Sequence, residues 1–346
     1  MNKTALTKTY TKDIQNSCLN SKKIVLSLAT ISFLASCTHA TLTPEIKTYE
    51  ETNRHAKARS ASRSTNSNNK TTISSLQNST QTVSNTGNTL VIESGGTITI
   101  SNGGQQAVNF QPNSSTSTFL NKGTLIGGNN TASVQLGADG NNGVNIETFD
   151  NQGIIGNGSS KFGVTVLGGG DKDNSKSIIN NFSNSGTIHS NAGESIYFGN
   201  ANISSFANSG TIKSKQGAGV NISQGTSIGN FNNTGTIEGK KDGIQINANV
   251  KTLINKGTIK GDAISIRSLG GTIDQLINEG IMDGKSAGIY MRGGRVKTLI
   301  NSGTINQNNS ETWAAGIKLQ NNSTIENIIN TGSIRSNAFG ISVTGG

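Results

Sequence analysis

The sequence predicts an all-β chain folded as a right-handed parallel β-helix, on three observations. An [LIF]-x-N-x-G element recurs at Asn121, Asn151, Asn184, Asn208, Asn233, Asn255, Asn278, Asn301 and Asn330, followed two residues later by Gly123, Gly153, Gly186, Gly210, Gly235, Gly257, Gly280, Gly303 and Gly332. Its successive spacings are 30, 33, 24, 25, 22, 23, 23 and 29 residues, and recurrence at such a period marks a solenoid. Within each repeat, apolar residues alternate with period two in short runs broken by Gly, Asn and Lys, the pattern of strands and turns.

One repeat can be taken in order. Before the Asn stands I-x-x-[LF], as in Ile203 and Phe206, Val250 and Leu253, Ile273 and Leu276, or Val296 and Leu299. After the Gly comes a short strand opened by a β-branched pair, as in Thr211-Ile212, Thr236-Ile237 and Thr258-Ile259. A third run, G-[IV]-x-[ILVM], closes the repeat at Gly219-Val220-Asn221-Ile222, Gly243-Ile244-Gln245-Ile246 and Gly288-Ile289-Tyr290-Met291. Each rung of about 22–33 residues thus holds three short strands and no helix, and a weaker first copy is read at Asn85 and Gly87. Leucine-rich repeats have a similar length, but their L-x-x-L-x-L-x-x-N pattern is not followed.

At roughly 4.8 Å per rung, nine or ten rungs make a rod about 45 Å long. Inward Ile, Val, Leu and Phe stack on their equivalents in the next rung, each contributing about 1.5–3 kcal/mol, most of it offset by chain entropy. Aromatic residues are only 4% of the chain, as a narrow bore would require. The Asn and Gly column is read as structural. Asn tolerates a left-handed corner and Gly accepts almost any conformation, and inward Asn amides can bond one another in a ladder. A buried ladder has no open face for a sugar.

Composition agrees with a chain of polar strands and turns: 31% apolar residues, 44 Gly and only 2 Pro. The net charge of +10 is unevenly placed. Residues 1–84 carry 11 Lys and Arg against 4 Asp and Glu, whereas residues 85–346 carry 18 against 15. The repeats are therefore close to neutral and lack interleaved basic and aromatic residues, which argues against nucleic-acid binding.

The N-terminus reads as an export signal. A long polar region ends in Lys22-Lys23 and precedes an apolar run, Ile24 to Ala35, too short to span a bilayer comfortably. Leu34-Ala35-Ser36-Cys37 resembles the lipobox of bacterial lipoproteins, which implies cleavage before Cys37 and its acylation as a lipid anchor. Ordinary cleavage after Thr38-His39-Ala40 is the alternative. Cys18 is removed either way, so the mature chain has no disulfide. Residues 38–84, rich in Ser, Thr and Asn, read as a disordered tether, and residues 85–346 as the β-helix.

Signal region, polar tether and N-x-G-T-I repeats together resemble the passenger of an autotransporter adhesin. With the lipobox-like segment, the resemblance narrows to lipoprotein autotransporters of the Campylobacter adhesion protein A type. It implies a non-catalytic surface adhesin whose partners are a host-cell surface protein or glycan, or sibling passengers, with the outer membrane reached through Cys37 if that residue is acylated. Full-length members of that family carry a C-terminal β-barrel for export. The sequence stops after Ser342-Val343-Thr344-Gly345-Gly346 without one, so the chain is expected to be a truncated passenger, exported to the cell surface or outer membrane in its full-length form and periplasmic if the truncated chain is the product.

The competing expectation is a secreted polysaccharide lyase or hydrolase, because β-helices also host such enzymes. Asp242 and Asp262 are its candidate carboxylates, read as equivalent positions of neighbouring rungs with Lys240, Lys241 and Lys260 nearby. A solvated charged turn explains them equally, and Ala287 occupies the aligned place in the following rung. His189 is the only His of the repeats and has no serine-protease motif around it. Two excursions interrupt the array. Gly168 to Asn174 clusters Asp171, Asp173 and Asn174 loosely like a calcium loop, but it is not read as a metal site. Gln307 to Ala315 carries Trp313, the only Trp, as a candidate ligand contact. No cofactor is expected.

Overall fold

The computed structural model describes residues 70–84, 86–101, 103–156, 160–169, 175–309 and 314–344. All of them lie in one compact unit, Asn66–Gly346. Among the described residues, 33 strands form three parallel sheets of eleven strands, each rung giving one strand to each sheet in turn. The chain is a right-handed parallel β-helix, in the hand that strand twist imposes on parallel crossovers.

The period-two alternation sets which side chains point inward. In the first sheet, Phe119, Phe149, Phe182, Phe206, Phe231, Leu253, Leu276 and Leu299 occupy one register column. The second sheet supplies Ile188, Ile212, Ile237, Ile259, Met282 and Ile305. The third adds Val164, Ile196, Val220, Ile244, Ile266 and Ile289. These residues join in a single apolar core.

The bore is wider than the low aromatic content suggests. Phe149 and Phe182 stack at 4.3 Å and 7° between planes, and Phe206 lies between Phe182 at 5.2 Å and Phe231 at 4.3 Å. Five consecutive rungs thus place a Phe in the same column.

The array also begins earlier than the sequence suggests. Lys70–Ile73, Leu76–Gln77 and Gln81–Val83 make a complete first rung, paired to the strands that follow, so residues 70–83 belong to the β-helix and not to a tether. This rung contributes few inward residues, among them Ile73 and Val83, and its low apolar content concealed it. The proposed copy at Asn85 and Gly87 is likewise displaced. Ile92 is the register partner of Asn121, Gly87 lies at the start of that strand with φ +80°, and Asn85 is outside the described residues.

Candidate functional site

The Asn column forms the ladder expected of it. Each Nδ2 donates to the next Oδ1, from Asn121 through to Asn330, at 2.6–2.8 Å. The same nitrogen faces two backbone carbonyls. For Asn255 these are Gly257 at 3.2 Å and Ile281 at 3.1 Å. All members from Asn121 to Asn301 are at most 1% exposed.

The conformational reason given for this corner is corrected by the backbone. None of the nine Asn or nine Gly of the column has positive φ. What requires Gly is close stacking: a Cβ on Gly257 would lie 2.0 Å from the carbonyl oxygen of Gly235, and the same clash recurs at Gly186, Gly210, Gly280, Gly303 and Gly332. Left-handed residues occur elsewhere, at Asn113, Asn200, Asn321 and Asn322.

The two candidate carboxylates are not equivalent. Asp242 is paired in register with Ile264, which is paired with Ala287, so Ala287 follows Asp242 and not Asp262. Asp262 belongs to the preceding corner, its amide bonded to the carbonyl of Gly239. Their sequence distances from the ladder Asn already differ, and strand pairing keeps that offset.

Each carboxylate is occupied. Asp242, 3% exposed, accepts from Arg267 Nε at 2.7 Å and Nη2 at 3.1 Å. Burial raises its pKa, and the hydrogen bonds and charge of Arg267 oppose the shift. Arg267 in turn lies 5.4 Å from the ring centre of Tyr290, whose hydroxyl donates to Gln320 Oε1 at 2.7 Å. Asp262 pairs with Lys240 and, at 3.6 Å, with Lys285. The Lys240 hydrogen bond, the largest of these effects, lowers its pKa. A carboxylate committed to a guanidinium on both oxygens is poorly placed to take a proton from water or a sugar hydroxyl.

His189 lies on the outer face of the second sheet opposite Lys213, and its Nε2 has no hydrogen-bond partner. Burial, then Lys215 and Lys213, lowers its pKa. Among the described residues, no three His, Cys, Asp or Glu form a metal-binding group. Cys37, Trp313, Asp171, Asp173 and Asn174 lie outside the described residues.

The outer column of the third sheet was not singled out by sequence. It runs Asn109, Gln135, Thr165, Tyr197, Asn221, Gln245, Arg267, Tyr290 and Lys318, one side chain per rung. Its signal was present as the x of G-[IV]-x-[ILVM], a position that changes where its neighbours do not.

Compared with family models, curated proteins and solved structures, the chain matches none of them. The functional reading therefore depends on the residues themselves.

Proposed function

We propose that this chain is a non-catalytic adhesive rod, the passenger of a lipoprotein autotransporter, which attaches cells to a host surface or to one another. One observation carries the reading. The inner and corner columns repeat from rung to rung, while the outer column of the third sheet changes at nearly every rung among amide, hydroxyl, aromatic and cationic side chains. Eleven stacked rungs, about 50 Å of strand spacing, present that varied face on a constant scaffold. Weak contacts spread along such a face add through multivalency.

The ion pairs at Asp242 and Asp262 favour adhesion over polysaccharide cleavage. Export and lipid attachment at Cys37 belong to the same proposal and are supported by the signal region, and surface display is proposed for the full-length form with its barrel.

The test coats beads with the purified chain and measures adhesion to epithelial cells and to beads carrying the same chain. Concentration-dependent adhesion to either surface is expected. Beads that bind neither, together with release of new reducing ends from a polysaccharide panel, would overturn the proposal in favour of the enzyme. Palmitate labelling that disappears in Cys37→Ala tests the anchor.

A further inference from the structure

A shallow cleft of about 280 Å³ opens on the outer face of the third sheet, across three successive rungs. Gln135, Thr165 and Tyr197 are consecutive register partners along its floor, Phe162 and Leu167 border it, and Glu194 stands at its rim. At rung spacing this is a run of about 10 Å. We propose that the cleft binds a neutral saccharide of one or two pyranose rings. The proposal deepens the adhesive reading above and rests on it for its biological sense.

Two glycines hold the aromatic rings in place. A Cβ on Gly193 would lie 2.5 Å from the Phe162 ring, and one on Gly199 would lie 2.8 Å from the Tyr197 ring. Each ring therefore rests against bare backbone. Phe162 also has the Lys161 ammonium 5.1 Å from its centre. The floor is fixed by amides: Gln106 donates to Gln135 Oε1 at 2.9 Å and to Thr131 Oγ1 at 3.0 Å, and Gln135 donates to the Gly137 carbonyl.

One polar group in this floor is unpaid. Thr165 is 6% exposed, and its Oγ1 has no hydrogen-bond partner. Buried hydroxyls without partners are uncommon and unfavourable, but this oxygen is sealed from solvent, so a ligand hydroxyl does not reach it. The acceptor open to a ligand is Glu194, which makes no ion pair or side-chain hydrogen bond among the described residues.

The lining selects the ligand class. A pyranose offers an apolar C–H face to aromatic rings and hydroxyls to amides and carboxylates, and this cleft supplies both. The Glu194 carboxylate lines it, and the Lys161 ammonium over the Phe162 ring offsets that charge without leaving a cationic surplus, which disfavours phosphate and sulfate. An extended peptide adds to an open strand edge, but Phe162–Leu167 is paired on both sides.

The test applies the full chain to an array of neutral oligosaccharides built from glucose, galactose, N-acetylglucosamine and fucose, followed by saturation-transfer NMR with the strongest binder. Binding is expected, with affinity reduced about tenfold by Tyr197→Ala, the loss of one stacking platform. Glu194→Gln removes the carboxylate at the rim while keeping its shape and should weaken the saccharide several-fold with the melting temperature unchanged. Thr165→Val, at a hydroxyl sealed from the cleft, should leave affinity unchanged and the melting temperature equal or higher. No binder on the array, or undiminished affinity in folded Tyr197→Ala and Glu194→Gln, overturns the proposal. If coated beads adhere and Tyr197→Ala beads adhere equally without saccharide binding, the cleft fails and the adhesive reading stands. If the cleft binds sugar but the beads adhere to nothing, the adhesive reading fails and the site stands.

Discussion

The side-chain amide of Asn255 donates to Oδ1 of Asn278 at 2.8 Å, and both residues are fully buried. The bond is one step of a continuous ladder, so each Asn between its two ends is donor to one rung and acceptor from the other.

Asn255→Ala breaks the ladder twice. Asn278 Oδ1 loses its donor and Asn233 Nδ2 keeps only its carbonyl contacts. A loss of about 2–3 kcal/mol is expected for the buried groups left under-satisfied, read as a lower urea midpoint by circular dichroism. An unchanged midpoint would mean that the carbonyl bonds alone hold the corner.

Gly257→Ala forces a methyl group into the Gly235 carbonyl. Because the obstacle is backbone, relief needs adjacent rungs to separate, and a destabilisation of about 3 kcal/mol is expected. Gly103→Ala, where a Cβ meets nothing within 4 Å, is the control and should leave thermal unfolding nearly unchanged.

Arg267→Leu leaves the Asp242 carboxylate buried without its partner, at an expected cost of about 3 kcal/mol. The pH dependence has a definite sign. Burial already raises the folded pKa of Asp242, so the folded state holds this proton more tightly than the unfolded one. Stability therefore falls as pH rises from the ordinary carboxylate range through the folded pKa. Removing Arg267 takes away the opposing effect and should widen that window, making the variant lose more stability near neutral pH than in mild acid. Asp242→Asn should remove this component of the dependence. Asp262 has the opposite slope: its pKa is lowered, and its contribution is lost as pH falls through the folded value.

Phe206 lies between Phe182 and Phe231. Phe206→Ala should cost about 3–5 kcal/mol through the cavity it leaves. Phe206→Leu should cost less than half of that, because the same column continues with Leu253, Leu276 and Leu299 in later rungs. Equal costs for the two variants would show that the stacked rings, and not the filled volume, hold these rungs together.

Sequence alone determined the solenoid, its three strands per rung, the inward residues of each strand and the Asn ladder. All of these depend on a local period of two or on a motif repeated at similar intervals, and parallel stacking brings equivalent positions together. Tertiary structure decided the rest. The first rung, Lys70–Ile73, Leu76–Gln77 and Gln81–Val83, was hidden because it has few apolar residues of its own, Ile73 and Val83 being the buried ones, and is recognised by its pairing to the next rung. The Asp242–Arg267 pair joins residues 25 positions apart through a register that puts Asp242 opposite Ile264. The register itself can be counted, because Asp242, Ile264 and Ala287 each stand nine residues beyond their ladder Asn; what tertiary structure decided is that the Arg267 side chain reaches back one rung to the Asp242 carboxylate. The cleft between Phe162 and Tyr197 likewise depends on which outer side chains become neighbours when rungs stack. Inner positions are legible because each must satisfy the same buried environment, whereas outer positions acquire meaning only from the neighbours that register gives them.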